Sequence, residues 1–390
     1  MMATEGYKHH VALVKMLKMG AEALHKTHTS DHTKRCQLLC WHSFGVNMLS
    51  TAEGQGLTSP HHFSDSDWDE LYGEGGSLIA EIPQHYDYQR MHAACKHTGY
   101  DLALSWCAWA AVPFVHWGNL AAANDAMDRM LPAALQCMQD WAPTDHYELM
   151  YFKCNWVFWL YAMGRKDDVR AVLDGGPFDS LELMIDDGLT KLSPGVFRPR
   201  GQTEGGTVSM DELLTMGKFL EVLVSDEPSS AAVAALPEPQ AVAQYGLNLL
   251  SVGNVMEFVA GIVTMTPAML AHERVGNAES ALECAAIITE ADPVTQGGSK
   301  CRLQHYFAHS CRGRALASQD KADEAEAAFE AALEVTAAYG WHFLTAIALR
   351  DLCKHVLDGA GRSEEGRKRL EEAVSRLECS VEDLDTVVYP

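Results

Sequence analysis

The sequence has few positive charges for its length of 390 residues. Lys and Arg together number 30 against 53 Asp and Glu, which gives a formal net charge of −23. A surface this acidic repels the phosphates of nucleic acids and anionic lipids, so we expect neither nucleic acid nor membrane as a partner. Such a surface attracts a basic segment of a protein or peptide, although acidity also serves solubility alone.

Paired-cysteine motifs and long apolar runs are also missing. The cysteines number eleven, and no two of them form a CxxC motif, which favours reduced, buried thiols over a disulfide framework. Near the N-terminus, Lys15 and Lys18 interrupt the only apolar stretch, so no signal-peptide core is present. No apolar run reaches the roughly eighteen residues of a membrane span. These absences predict a cytoplasmic location.

Period-two alternation of β-branched residues does not persist, whereas helical spacing dominates the chain. Near the N-terminus the apolar positions step by threes and fours, as on one face of a helix, at Tyr7, Val11, Val14, Leu17, Ala21 and Leu24. The pattern predicts an all-α protein with two helical parts, residues 1–175 and 241–390. Residues 176–240 are rich in Gly and Pro and are expected to form an irregular connector.

The stretch GRALASQDKADEAEAAFEAALE, residues 313–334, matches part of a known repeat pattern. The tetratricopeptide pattern is W-x2-L-G-x2-Y followed by A-x3-F over about 34 residues. The match is good in the second helix, but His309 and Arg312 depart from the pattern in the first. Small residues where two helices cross allow close approach, and a large one fills the gap between hairpins. The residues expected to pack in this way are Gly313, Leu316, Ala325, Phe329 and Ala332.

A turn residue before a similar helix recurs along the chain, as Gly118, Gly164, Gly276 and Asp320. The first two are 46 residues apart and the last two 44, which is longer than the tetratricopeptide period. The chain resembles the tetratricopeptide-like superfamily of α-solenoids. The resemblance implies a stack of helical hairpins in which the first helix of each hairpin lines a concave groove.

If this chain has the same groove, the resemblance assigns two sets of candidate contact residues to it. The hairpin that ends at Gly164 would contribute Tyr151, Phe158 and Tyr161, and the later one would contribute Phe307 and Arg314. An aromatic groove can hold an extended peptide or a helix, although packing in the core is the alternative role for such rings. The resemblance implies a non-catalytic adaptor without a cofactor, whose protein or peptide partner presents a basic or aromatic segment. The sequence leaves the oligomeric state open.

An enzyme is the alternative of a different class. Helical hairpins can close into an α/α toroid with a central pocket of His, Trp and acidic side chains, as in several sugar-processing families. The chain contains 18 His and 9 Trp, which keeps this hypothesis open. In this alternative the hairpins form a closed ring instead of an open solenoid.

Two histidine clusters have the spacing of metal ligands. His305 and His309 are four apart and share a helix face, but no glutamate motif and no third ligand accompany them. The second cluster is divided by a predicted turn and contains His25, His28, His32 and Cys36. Buried, hydrogen-bonded histidines are favoured at both places, and no bound metal is expected.

Overall fold

The structure is a computed structural model, and it describes part of the chain. The continuous described ranges are 65–73, 77–86, 117–141, 159–174, 189–193, 196–199, 268–290 and 302–388. Shorter pieces and single positions lie between 12 and 42, at 89, 156–157 and 208–209, and between 222 and 239. All structural statements below refer to these residues.

Helices dominate the described residues, which confirms the predicted helical class. The helices with defined bounds are α1 (Asp65–Tyr72), α2 (Ser77–His85), α3 (Leu120–Trp141), α4 (Lys166–Asp174), α5 (Ala278–Glu290), α6 (Arg302–Ala317), α7 (Ala322–Tyr339), α8 (His342–Leu352), α9 (Ser363–Val374) and α10 (Val381–Leu384). A π-helical stretch, Cys353–Leu357, continues α8. No helix in these ranges is both long and apolar enough to cross a membrane.

Eight of the described helical stretches form four hairpins, each with a first and a second helix, and α1, α2, α3 and α10 lie outside these hairpins. Hairpin I joins helical residues 156–157 and 159–162 to α4, and hairpin II joins helical residues 268–274 to α5. Hairpin III consists of α6 and α7, and hairpin IV of α8 and α9. From α5 onward each helix packs against the next one, and the two first helices α6 and α8 also touch.

The same backbone turn separates the two helices of every hairpin. Its central residue has a positive φ, and its N–H donates to the carbonyl three residues back. The N–H of the following residue donates to the carbonyl five residues back, which completes a Schellman motif. The central residues are Gly164 (φ 74°), Gly276 (φ 78°), Asp320 (φ 59°) and Gly361 (φ 73°). Gly118, which precedes α3, also has a positive φ of 71°.

Helix α7 shows why this sequence forms a hairpin. Ala is the strongest helix former, and Asp323 and Glu324 in the first turn favour the positive end of the helix dipole. Its buried face faces α6, where Gly313 lies directly against the Phe329 ring. The five residues predicted to pack are all buried, namely Gly313, Leu316, Ala325, Phe329 and Ala332.

A small antiparallel sheet lies in the segment that was expected to be irregular. Its strands are β1 (Leu189–Ser193), β2 (Val196–Pro199) and β3 (Val208–Ser209), paired in the order β1-β2-β3. Lys191 pairs with Phe197, and the register is irregular between Lys191 and Ser193. The expectation of no strands missed this sheet because strands of two to five residues are too short to show a sustained period of two.

The C-terminal segment, residues 377–388, connects distant parts of the described chain. The Glu378 N–H donates to the Trp117 carbonyl (2.8 Å), next to the turn that precedes α3. Further along, the Val388 N–H donates to the Ala162 carbonyl of hairpin I (3.0 Å). The segment therefore joins the end of hairpin IV to helices more than two hundred residues earlier in the sequence.

Candidate functional site

One cavity of about 430 Å³ lies where the first helices of all four hairpins meet the C-terminal segment. Each hairpin contributes at least one lining side chain from its first helix, and among the described residues the second helices contribute none. The lining residues are Tyr161, Leu270, Glu273, Arg274, Arg314, Arg350, Asp351, Lys354, His355, Asp385, Val387 and Val388.

A chain of ion pairs crosses the cavity wall from hairpin II to hairpin IV. Arg314 binds Glu273 with two parallel hydrogen bonds, Nε to Oε1 at 2.7 Å and Nη2 to Oε2 at 3.1 Å. The remaining guanidinium nitrogen, Nη1, donates to Asp351 Oδ2 at 3.0 Å. Arg350 donates from Nε to the other oxygen of Asp351 at 2.8 Å. Such bidentate, charge-assisted bonds fix both distance and orientation between neighbouring first helices.

The environment keeps these ion-paired groups charged. Burial alone would raise the pKa of Asp351, but Arg314 and Arg350 lie so close that the pKa falls below its usual value. Burial likewise opposes the charge on Arg314, and Glu273 and Asp351 outweigh it, so the pKa of this guanidinium rises well above its ordinary value. Asp351 and Arg314 are therefore a charged pair within the wall.

Two other groups in the cavity are held neutral. Burial raises the pKa of the Tyr161 phenol, so this group stays protonated at neutral pH. Burial lowers the pKa of His355. The nearby positive charges of Arg314 and Lys354 also lower this pKa, whereas the negative charge of Asp351 raises it. Tyr161 forms no hydrogen bond within the described part of the chain, so its hydroxyl is free to bind a ligand.

Two cations of the cavity are not bound to carboxylates in the described ranges. The exposed Arg274 donates from Nη2 to the Ser225 carbonyl at 2.7 Å, which leaves its other N–H groups available. Lys354, also exposed, makes no hydrogen bond or ion pair with any described residue. Asp385 is the only described lining carboxylate that forms no hydrogen bond or ion pair within these ranges, and it is exposed on the C-terminal segment.

The C-terminal segment is anchored at the cavity by Arg350. The Nη1 atom of Arg350 donates to the carbonyls of Leu384 (2.7 Å) and Val387 (2.6 Å). Both of these side chains are buried, whereas Val388 is 37% exposed and borders the cavity. Glu382, Asp383 and Asp385 are exposed on the same segment, so its outer side is acidic.

The candidate groove residues fall into three groups in the structure. Tyr161 and Arg314 line the cavity together. Phe307 is only 1% exposed and lies against Tyr306, so its ring belongs to the core and does not reach a ligand. Tyr151 and Phe158 lie outside the described residues.

The histidine pair is brought together without a metal-binding arrangement around it. The rings of His305 and His309 are 6.4 Å apart and perpendicular, and burial lowers the pKa of His309. Across the described ranges, no group of three or more His, Cys, Asp or Glu side chains is placed to hold a metal. Cys36 of the second cluster is buried, and His25, His28 and His32 lie outside these ranges.

Most charged residues of the cavity are not recognisable from sequence patterns. Glu273, Arg350, Asp351, Lys354 and Asp385 belong to no motif, and three different elements supply them. The sequence indicates four of these residues only through their place on first helices. The resemblance implies that first helices line the groove. Asp385 is not on a first helix.

Comparisons of the chain with protein-family models, curated proteins and solved structures find no match. The geometry of the cavity is therefore the basis for any functional conclusion.

Proposed function

We propose that the chain is a non-catalytic protein- or peptide-binding adaptor built from an array of tetratricopeptide-like hairpins. The observation that carries this proposal is the cavity to which the first helices of all four described hairpins contribute. Stacked hairpins expose their first helices on one side, and in repeat arrays this side is the usual binding surface. The repeated Schellman turns support the repeat interpretation, because each described hairpin has one between its two helices.

The partner segment that fits the cavity border is basic, with an apolar or aromatic side chain. Asp385 and Val388 line the cavity, and Glu382 and Asp383 are exposed on the same C-terminal segment. The three carboxylates attract positive charge, and Val388 offers an apolar contact. Central apolar contacts carry most of the affinity at such interfaces, and surrounding charges mainly accelerate association.

One observation favours the alternative of a toroid enzyme. The C-terminal segment forms hydrogen bonds with both hairpin I and hairpin IV, as a closed ring of hairpins would require. The chemistry of the cavity favours binding instead. A sugar-cleaving enzyme needs one carboxyl group with a raised pKa to act as an acid. Asp351 is bound by two guanidinium groups and has a lowered pKa, the opposite condition.

The proposal is tested by reversing one charge on the exposed side of the C-terminal segment. The immobilised full chain is used to capture partners from a lysate, and captured proteins are quantified by mass spectrometry for wild type and Glu382→Lys. Glu279→Lys is the matched control, because Glu279 is also exposed in the first turn of a helix but lies on a second helix. We expect the specific partner to be reduced about fivefold or more by Glu382→Lys and to be unchanged by Glu279→Lys.

Kinetics with the captured partner give the second measurement. Raising the salt concentration from about 50 to about 500 mM should slow association by about tenfold or more, because steering between opposite charges is screened. Val388→Ser should raise the dissociation rate, and the exposed Met19→Ser should leave it unchanged. Salt-independent association together with equal binding by both charge variants would refute the proposed site.

A further inference from the structure

We propose that the cavity is a binding site for a small dianionic metabolite, one that carries a phosphomonoester or two carboxylates. Four cationic side chains face three carboxylates around it, in a chain whose formal net charge is −23. The cavity lining therefore has more positive than negative side chains, whereas the chain as a whole has more negative ones. The lining has one more cation than carboxylates, so attraction of an anion depends on where the cations without carboxylate partners lie.

The charges divide into a structural set and an available set. Arg314 and Arg350 are bound by Glu273 and Asp351 and compensate each other within the wall. Arg274 and Lys354 remain, since neither binds a carboxylate among the described residues. Two cations without carboxylate partners on one cavity are the charge complement of a dianion.

Neutral hydrogen-bond donors accompany these cations. The Tyr161 phenol is buried, lines the cavity and makes no hydrogen bond with any described residue. His355, neutral at pH 7, offers an N–H from the same wall as Lys354. A site with two cations and neutral donors can satisfy several oxygen atoms of a phosphate or carboxylate group at once.

The size and position of the cavity favour a small molecule inside it, whereas the partner segment proposed above would bind outside it, along the acidic C-terminal segment. Its volume of about 430 Å³ lies within the range of small-molecule sites, which is about 300–1,000 Å³. The C-terminal segment borders it with Val387 and Val388 and is fixed there by Arg350. Because of this border, an extended chain would have to displace the segment, whereas a compact ion would not. The proposal does not depend on the adaptor function and is tested without a protein partner.

Calorimetric titration of the purified full chain with inorganic phosphate and with succinate tests the site. Ionic strength is held constant with sodium chloride. We expect a dissociation constant of about 1 mM or lower for one probe. Lys354→Met should raise it about tenfold, and Tyr161→Phe and Arg274→Gln about threefold or more, since each removes a donor. Tighter binding of phosphate would indicate a phosphomonoester as the natural ligand, and tighter binding of succinate a dicarboxylate.

Two further variants separate a built site from general electrostatics. Lys368→Met removes an exposed cation on α9, outside the cavity, and should leave the dissociation constant unchanged. Asp385→Asn removes a repelling carboxylate from the cavity border and should strengthen binding about threefold. The exposed positions of Lys354, Lys368 and Asp385 allow all three variants to fold. No binding of either probe below about 20 mM, or equal binding by Lys354→Met and Lys368→Met, would overturn the proposal.

Discussion

At the scale of single residues, Gly313 of α6 lies directly against the Phe329 ring of α7. A Cβ placed there would lie 2.8 Å from three ring carbons of the buried Phe329. Alanine favours a helix over glycine by about 1 kcal/mol, but overpacking of a core costs about 1–3 kcal/mol. We therefore expect Gly313→Ala to lower the free energy of unfolding by about 1–2 kcal/mol in urea denaturation.

The matched control for this substitution is Gly359→Ala. At Gly359 the nearest atom to an added Cβ is the Val356 carbonyl oxygen at 3.7 Å, an ordinary contact. Its effect should stay within about 0.5 kcal/mol. If Gly313→Ala stabilised the protein as much as Gly359→Ala or more, the packing of Gly313 on Phe329 would be wrong.

His42 makes the stability depend on pH. The residue is fully buried, and burial together with the charge of Lys18 lowers its pKa to about 4. In the unfolded chain the ordinary pKa is about 6.5, so below this value the unfolded state binds a proton that the folded state does not. The stabilisation is complete above pH 6.5 and is lost as the pH falls towards 4, by up to about 3 kcal/mol.

Urea denaturation between about pH 4 and pH 7 measures this effect. His309 and His355 also have lowered pKa values and add to the slope in the same direction. His42→Gln should therefore retain a smaller slope of stability against pH. An equal slope in wild type and variant would show that His42 is not responsible.

At the scale of elements, the Schellman turns differ in what surrounds them. An added Cβ at Gly276 would meet no atom, whereas one at Gly164 would collide with the Thr386 carbonyl of the C-terminal segment. Gly276→Ala should cost only the strain of a positive φ, about 1 kcal/mol. Gly164→Ala should cost about 3 kcal/mol or more, because the backbone of the segment must also move.

Equilibrium unfolding of the two variants checks this difference. Gly276→Asn serves as a further control, since asparagine tolerates this conformation better than alanine. Equal losses for Gly164→Ala and Gly276→Ala would mean that the segment does not rest on the turn of hairpin I.

The turns were predictable from the sequence, and the reason is local. Gly118, Gly164, Gly276 and Asp320 were identified before their helices, and all four have positive φ. A residue in the left-handed backbone conformation at a helix end is usually Gly, Asn or Asp, so the sequence indicates where such a turn lies. Gly361 belongs to the same set but was not identified, although the helix that follows it, SEEGRKRLEEAV, has an acidic first turn like α4.

The cavity was predictable only in part, because it depends on distant contacts. Tyr161 and Arg314 were proposed from their helical positions and line it. The same reasoning placed Phe307 there, but its ring is buried in the core although it lies two helix turns before Arg314 on the same helix. Arg350, Asp351 and Asp385 could not be found, because no local pattern shows that the C-terminal segment returns to this face.

At the scale of the whole molecule, Arg350 joins hairpin IV to the C-terminal segment. Arg350→Met would remove two bonds to carbonyl oxygens and one partner of Asp351, whose side chain is only 4% exposed. A buried carboxylate that loses a partner is costly, so we expect a loss of about 3 kcal/mol in unfolding free energy. Hydrogen exchange at the Val388 amide should also accelerate, because the segment is released.

Arg367→Met is the control, since Arg367 is 62% exposed and pairs only with exposed glutamates on its own helix. Its effect on the free energy of unfolding should be within experimental error, because exposed ion pairs contribute little. Slow exchange at Val388 in the Arg350→Met variant would show that other contacts hold the segment.

The contact of the C-terminal segment with hairpin I has a consequence for how the molecule unfolds. A linear array of repeats frays from its terminal repeat, because that repeat has a neighbour on one side only. Here hairpin IV cannot detach without also breaking the Val388–Ala162 bond, and the ion pairs from Glu273 to Arg350 bind it to hairpins II and III. The described hairpins should thus melt as one cooperative unit rather than one after another.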